Sequence, residues 1–203
     1  SDKQDIVILA RDSEKNRNIL KPYTETPGLE IIWGDLNNYD DVLKCVKGCD
    51  LILHIAAFVS PAADYYPKQA MKVNYGSTRN IINAIYELGQ QERTRLVYIG
   101  TVAETGDRMP PIHWGRVGDP IKPSMFDYYA VSKVAAERLV IESGLKYWVS
   151  LRQTGIIGRA MAEIEDAIMF HNCFDNVLEY CSDRDSARAM KNLCAFFHDG
   201  TLE

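Results

Sequence analysis

Asp127-Tyr128-Tyr129-Ala130-Val131-Ser132-Lys133 opens a helix shortly after the buried run Leu96-Val97-Tyr98-Ile99, and the fold is read outward from that pairing. Tyr129 and Lys133 are four residues apart, so on a helix they project from one face, one turn apart. An ammonium held beside a phenol favours the phenolate and lowers a pKa that is about 10 when unperturbed. A tyrosine so placed can serve as general acid or base near neutral pH. Taken alone, the pair is also that of an ordinary solvated helix face, and its surroundings decide between the two. Tyr128 lies off this spacing and points roughly 100° away, towards a pocket wall or into packing.

Upstream, Asp5-Ile6-Val7-Ile8-Leu9-Ala10 reads as a strand buried on both faces. Ser13 or Asp12 caps a short helix through Leu20, and a second strand runs from Leu29 to Trp33, ending at Gly34-Asp35-Leu36. Asn38 or Asp40 caps a helix with Val42, Cys45 and Val46 on its inner face, closed by Gly48. Leu51 to Ile55 is a third strand running into Ala56-Ala57. A long helix follows, with Met71, Tyr75, Thr78, Ile82 and Ile85 as its stripe and Gly89 as its stop. The fourth strand ends at Gly100-Thr101, and Gly106 to Pro123 is a loop. The Tyr129 helix buries Ala135, Ala136, Leu139 and Val140, and Tyr147 to Leu151 is a fifth strand leading to Thr154. Beyond about Ala160 the alternation fades. A short helix near Ile164, Ile168 and Met169, a strand at Asn176–Tyr180 and a helix capped by Ser182 or Asp183 are expected there.

Strands alternating with helices of ten or more residues imply an α/β fold, a doubly wound parallel sheet. Right-handed crossovers gather the strand C-terminal ends on one edge, where ligands bind in such sheets. Arg11, Asp35, Ala56, Thr101 and Thr154 all fall there.

With 203 residues, 46% apolar and 25% charged, the chain has an ordinary globular composition. A net charge of -5 leaves no basic footprint for nucleic acid. No apolar run approaches the roughly 20 residues of a membrane span, and Ser1-Asp2-Lys3-Gln4-Asp5 does not read as a signal peptide. Five cysteines, an odd number, suggest reduced thiols and a cytoplasmic location. Cys45 and Cys49 lack a second pair at zinc spacing, so no metal is expected. His54 is expected to be a satisfied core histidine.

The motifs, taken together and in order, resemble the extended short-chain dehydrogenases/reductases, the NAD(P)-dependent epimerases, dehydratases and reductases. They are the strand ending in Arg11; Gly34-Asp35-Leu36; His54-Ile55-Ala56-Ala57; Val73 to Thr78; Tyr98-Ile99-Gly100-Thr101; Tyr129 to Lys133; and Leu151 to Gly158. The resemblance implies a Rossmann-like dinucleotide-binding domain over residues 1–158 and a partial substrate-binding region over 159–203. It implies Tyr129 as catalytic acid/base, Lys133 as the group that lowers its pKa and holds the nicotinamide ribose, and Thr101 as the hydroxyl orienting the substrate oxygen. Asp35 and Leu36 would flank adenine, Ala56 and Ala57 would let the cofactor pass close, and Asn74 would lie near the site. The same positions have plainer readings: a helix-capping Asp35, tight sheet packing at the alanines, an exposed helix Asn74. Arg11, followed by Asp12, leans the cofactor expectation from NAD towards NADP. The expected partner is a small molecule with a carbonyl or hydroxyl group, or a sugar nucleotide, and a homodimer is compatible with the pattern. A non-catalytic NAD(P)-sensing or scaffold protein on the same fold is the alternative.

One departure stands out. The resembled family begins with a strand, a G-x-x-G-x-x-G loop and a helix that holds the pyrophosphate, and nothing of the kind precedes Asp5. In that family the missing strand lies between the strands read at Asp5–Ala10 and Leu51–Ile55, so two inner edges would be left bare. The chain is therefore expected to be a fragment truncated at its N-terminus, to pair those edges with another chain, or to move Asp5–Ala10 into the vacancy. A fragment with an incomplete C-terminal region is the preferred expectation.

Overall fold

The computed structural model describes residues 4–106, 116, 118–159 and 178–198. Five parallel strands and their helices carry the architecture. They are β1 (Ile6–Ala10), α1 (Glu14–Leu20), β2 (Leu29–Trp33), α2 (Tyr39–Val46), β3 (Leu51–His54), α3 (Ala62–Tyr65) and α4 (Pro67–Ala70). A wide turn at Met71–Tyr75 leads into α5 (Gly76–Glu87), β4 (Arg95–Thr101), a short 3-10 turn at Val102–Thr105, α6 (Tyr128–Ile141) and β5 (Tyr147–Gln153). Then come β6 (Gly155–Ile157), β7 (Tyr180–Ser182) and α7 (Asp183–His198). The expected helix near Ile164 lies outside the described residues, as do residues 176–177 of the expected Asn176–Tyr180 strand; Leu178 and Glu179 are not in a strand, and the strand begins later, at Tyr180, as β7.

The local signals explain the element ends. Ser13 accepts the Asn16 N–H at the start of α1, Asn38 accepts the Asp40 N–H at α2, and Asp127 accepts the Ala130 N–H at α6. Ser182 accepts the Asp185 N–H at α7. Gly48 closes the α2 end with φ 78°, a left-handed conformation in which a Cβ would be strained.

β4 is the spine. It pairs in parallel with β3 on one side and β5 on the other, with Leu96 opposite Ile52 and Trp148. One sheet face carries Ile52, Leu96 and Tyr98 into a core with Val42, Val46, Ile81, Ile85, Ala136 and Val140 from α2, α5 and α6. The other face sets Val97 and Ile99 against Leu51, Val149 and Leu151, with Met190 and Leu193 of α7 above them. A strand covered on both faces has to be apolar throughout, and Leu96 to Tyr98 are fully buried.

β1 and β2 form a second parallel pair. Here the expectation of a strand buried on both faces fails: Ile6 is 51% exposed and the rest of β1 is half-buried. Among the described residues β1 hydrogen-bonds only to β2, and β3 only to β4, so each keeps one edge without a strand partner. β1 has not moved across to pair with β3. The unpaired edge leaves Ile6 beside solvent rather than beside a neighbouring strand.

The long-helix stripe is corrected as well. The wide turn at Met71–Tyr75 carries an extra residue, which rotates the preceding face by roughly 100°. Met71 therefore turns outward at 38% exposure, and Ala70, Asn74, Ser77, Ile81 and Ala84 join Thr78, Ile82 and Ile85 inside.

Candidate active site

The site is built at the C-terminal end of β4. Thr101 is its last residue, and its hydroxyl accepts the Ala103 N–H at 3.2 Å, which starts the following turn. The first turn of α6, fixed by the Asp127 cap, brings the Tyr129 phenol near enough to the Thr101 side chain to feel it. Burial raises the phenol above its ordinary pKa, Thr101 lowers it in part, and Glu104 and Asp127 raise it further. At neutral pH Tyr129 is a protonated phenol, an acid rather than a base.

Lys133 is buried rather than on a solvated helix face. Its ammonium donates to the Ile99 carbonyl at 2.6 Å and lies 4.2 Å from the centre of the Tyr98 ring. Burial pushes it down to about 8, with Glu104 and Glu137 opposing. Tyr128 is 41% exposed, and its N–H donates to Asp64.

Asn74 is buried, which overturns its plain reading as an exposed helix residue. Its amide oxygen accepts the Phe58 N–H at 2.7 Å, and its amide nitrogen donates to the Phe58 carbonyl and to Ser132 Oγ. Asn74 thus clamps the loop after β3 onto α6. His54 is a core histidine, as expected, with Nε2 3.0 Å from Thr78 Oγ1 and 3.3 Å from Ser77 Oγ. Burial holds it neutral, at about 3, with the Lys133 charge adding to the effect. The Cys49 thiol donates to the Cys45 carbonyl, and burial raises both thiols, Cys45 to about 11.

Arg11, Asp35 and Ala56 each follow the C-terminal end of a strand, β1, β2 and β3 in turn. Arg11 is exposed just past β1, while the following Asp12 is taken up by Arg17 through two hydrogen bonds. Asp35 is exposed and accepts both Asn37 bonds on Oδ1, leaving Oδ2 open. Leu36 packs partly into the core, and Ala56 is exposed and Ala57 half-buried past β3. An open groove of about 390 Å³ adjoins the Asp35 loop, lined by Asn37, Lys68, Lys72, Tyr75 and Arg79. Residues 107–115 and 117 of the Gly106–Pro123 loop lie outside the described residues, as do residues 160–177 beyond the 158/159 boundary.

Sequence reading missed a second layer. Glu104, fully buried, accepts the Thr101 N–H at 3.1 Å. Glu137, also buried, accepts Arg152 and Ser150. The signal was present: Glu137 follows Lys133 by four residues on a helix face otherwise made of Ala136 and Val140. A charge in that stripe needs a partner.

A profile of the NAD dependent epimerase/dehydratase family matches residues 1–189. The chain belongs to that family. Among curated relatives, a 3-beta-hydroxysteroid dehydrogenase of Mycolicibacterium neoaurum is 30% identical over 77% of the chain and 43% of its own length. A 3 beta-hydroxysteroid dehydrogenase/Delta 5-->4-isomerase of Vaccinia virus is 34% identical over 61% of the chain and 38% of its own length. The chain therefore spans less than half the length of these relatives. Among solved structures, a dTDP-glucose 4,6-dehydratase from Streptomyces venezuelae with NAD bound superposes with a TM-score of 0.73 at 20% identity, covering 91% of the chain and 60% of that one. At that identity the likeness shows the fold, a Rossmann-like α/β arrangement. No helix among the described residues is long and apolar enough to cross a membrane.

Proposed function

We propose that this chain carries the acid/base half of a nicotinamide-dependent oxidoreductase site that interconverts a secondary alcohol and a ketone. The observation that carries this reading is the Tyr129 phenol against the Thr101 hydroxyl at the lip of β4, with Lys133 one turn further along α6. Thr101 orients the substrate oxygen, and Tyr129, protonated at neutral pH, gives it a proton as a carbonyl is reduced. In the oxidative direction the phenol has to lose its proton first, so oxidation is favoured at alkaline pH. A bound nicotinamide supplies or accepts the hydride.

The exposed Arg11, the open Oδ2 of Asp35 and the small Ala56 and Ala57 fit the adenosine end of a dinucleotide. Lys133 would have to leave the Ile99 carbonyl to reach a ribose. With Asp12 neutralised by Arg17, Arg11 is the charge left to meet a 2′-phosphate, which supports NADP over NAD. A glycine-rich pyrophosphate loop does not occur in the 203 residues, so the isolated chain binds dinucleotide weakly.

Simple alcohol–ketone exchange fits better than dehydration. Eliminating water beside a carbonyl needs a further acid/base pair next to the substrate. The residues after Thr101 are Val102 and Ala103, and Glu104 turns inward. The steroid dehydrogenase relatives point the same way, towards an alicyclic alcohol. A cytoplasmic location and a homodimer belong to the same proposal.

The test is turnover of a 3β-hydroxysteroid and of a UDP-sugar with NADP+ and NAD+, for the chain and for Tyr129→Phe. Loss of about 10²-fold or more in the variant is expected. Unchanged turnover would remove the phenol from the reaction, and micromolar NADPH binding by the chain would refute the weak-cofactor expectation.

A further inference from the structure

Glu104 occupies the third position of the turn after β4, with its side chain fully buried. Its Oε1 accepts the Thr101 N–H, closing a capping box with the Thr101 hydroxyl, and its carbonyl accepts the Lys122 N–H. Its Oε2 has no donor. Arg152 Nε lies 3.4 Å away but directs its hydrogen to Glu137, at 3.1 and 3.2 Å, while Nη2 donates to Glu137 Oε2 at 2.7 Å. Ser150 completes the Glu137 shell. Gly100 makes the cluster possible, since a Cβ there would sit 3.1 Å from Arg152 Cγ, Glu104 Oε1 and Ser150 Oγ.

Two buried carboxyl groups thus face one guanidinium. If both were ionised, two buried negative charges would crowd the one guanidinium that faces them, a state costlier than keeping a proton. Glu137 holds Arg152 and Ser150 and stays anionic, below the usual carboxylate range. Glu104 is pushed up to about 8, first by burial and then by the neighbouring Glu137. A proton on Glu104 Oε2 would leave that buried, unpartnered oxygen uncharged beside the Arg152–Glu137 pair.

We infer that Glu104 is a positioning residue of the site, sharing one proton with Glu137 so that it pins the Thr101 amide and sets the charge beneath Lys133. This rests on the proposed acid/base role of Thr101, Tyr129 and Lys133. The groups facing the pair are Arg152 of β5, Tyr129 and Lys133 of α6 and Tyr98 of β4, with His54 of β3 beside Lys133. Below the Glu104 transition the pair carries one negative charge. Above it a second appears and holds the Lys133 ammonium charged to higher pH.

The test follows Lys133 directly, by NMR titration of ¹³C-lysine in the chain, the resonance being assigned through its loss in Lys133→Arg. Glu104→Gln keeps the acceptor for Thr101, so the fold is retained. On the alkaline side it leaves about tenfold less charged Lys133 than the parent chain. Glu104→Asp, which keeps the carboxyl, lies closer to the parent. In turnover of a 3β-hydroxysteroid the pH 9 to pH 7 rate ratio drops about tenfold in Glu104→Gln, since one pKa unit is tenfold in population. A Lys133 titration identical in Glu104→Gln and the parent overturns the inference. Turnover that survives Tyr129→Phe overturns the catalytic reading instead and leaves the Lys133 titration to decide the carboxyl pair.

Discussion

The two strand groups of this molecule are written in similar residues and end in different states. β4, Leu96-Val97-Tyr98-Ile99, is flanked by strands on both edges and covered on both faces, and none of these four residues is more than 8% exposed. β1, Ile6-Val7-Ile8-Leu9, is as apolar, yet it pairs on one edge only and has no buried residue. An apolar run earns its burial from neighbours, not from composition. The polar chemistry follows the same divide. The half around β4 holds buried ionisable groups, His54, Lys133, Glu104 and Glu137, each matched to a partner. The half around β1 holds the exposed Asp12–Arg17 pair, with Arg17 stacked 4.6 Å from the Trp33 ring.

Acid should expose this contrast most strongly. His54 has its folded pKa lowered from 6.5 to about 3, so between those values the unfolded chain binds the extra proton. Stability from this group is full above pH 6.5 and is lost as pH falls towards 3. Denaturant unfolding across that window should show the loss, and His54→Gln should flatten it; an unchanged slope would mean the ring is not held neutral.

Leu96→Ala should cost about 2–5 kcal/mol in the same measurement, and Ile8→Ala about 1–2 kcal/mol. Equal costs would erase the distinction between the two strand groups. Gly100→Ala, which crowds Arg152, Glu104 and Ser150, should cost about 1–3 kcal/mol and move the alkaline limb of turnover. A neutral outcome would show that the carboxyl cluster has room to shift. Asp12→Asn should leave the unfolding midpoint unchanged, since an exposed ion pair is screened by water and salt. A clear loss there would mean that the β1 half depends on its surface charges.

Much of the fold was legible because its signals are local. The caps at Ser13, Asn38 and Asp127 and the close at Gly48 are properties of a few adjacent residues. The places of Thr101 at the end of β4 and Tyr129 in the first turn of α6 could be anticipated from motif order. What could not be read were effects of one element on another. The wide turn at Met71–Tyr75 moved Asn74 inside because that is where Phe58 and Ser132 await it. The turn of Lys133 towards Ile99 depends on a carbonyl 34 residues away.

By itself, the amino-acid order determined the alternation of strands and helices, the parallel sense of the sheet and the meeting of a threonine with a tyrosine at its edge. Periodicity and capping act over a turn or two, so they survive in one dimension. Tertiary structure alone decided which apolar strand is buried, which face of the long helix turns in, and that two buried glutamates gather around Arg152. Burial and proton affinity depend on groups far apart in the chain, and those exist together only once it has folded.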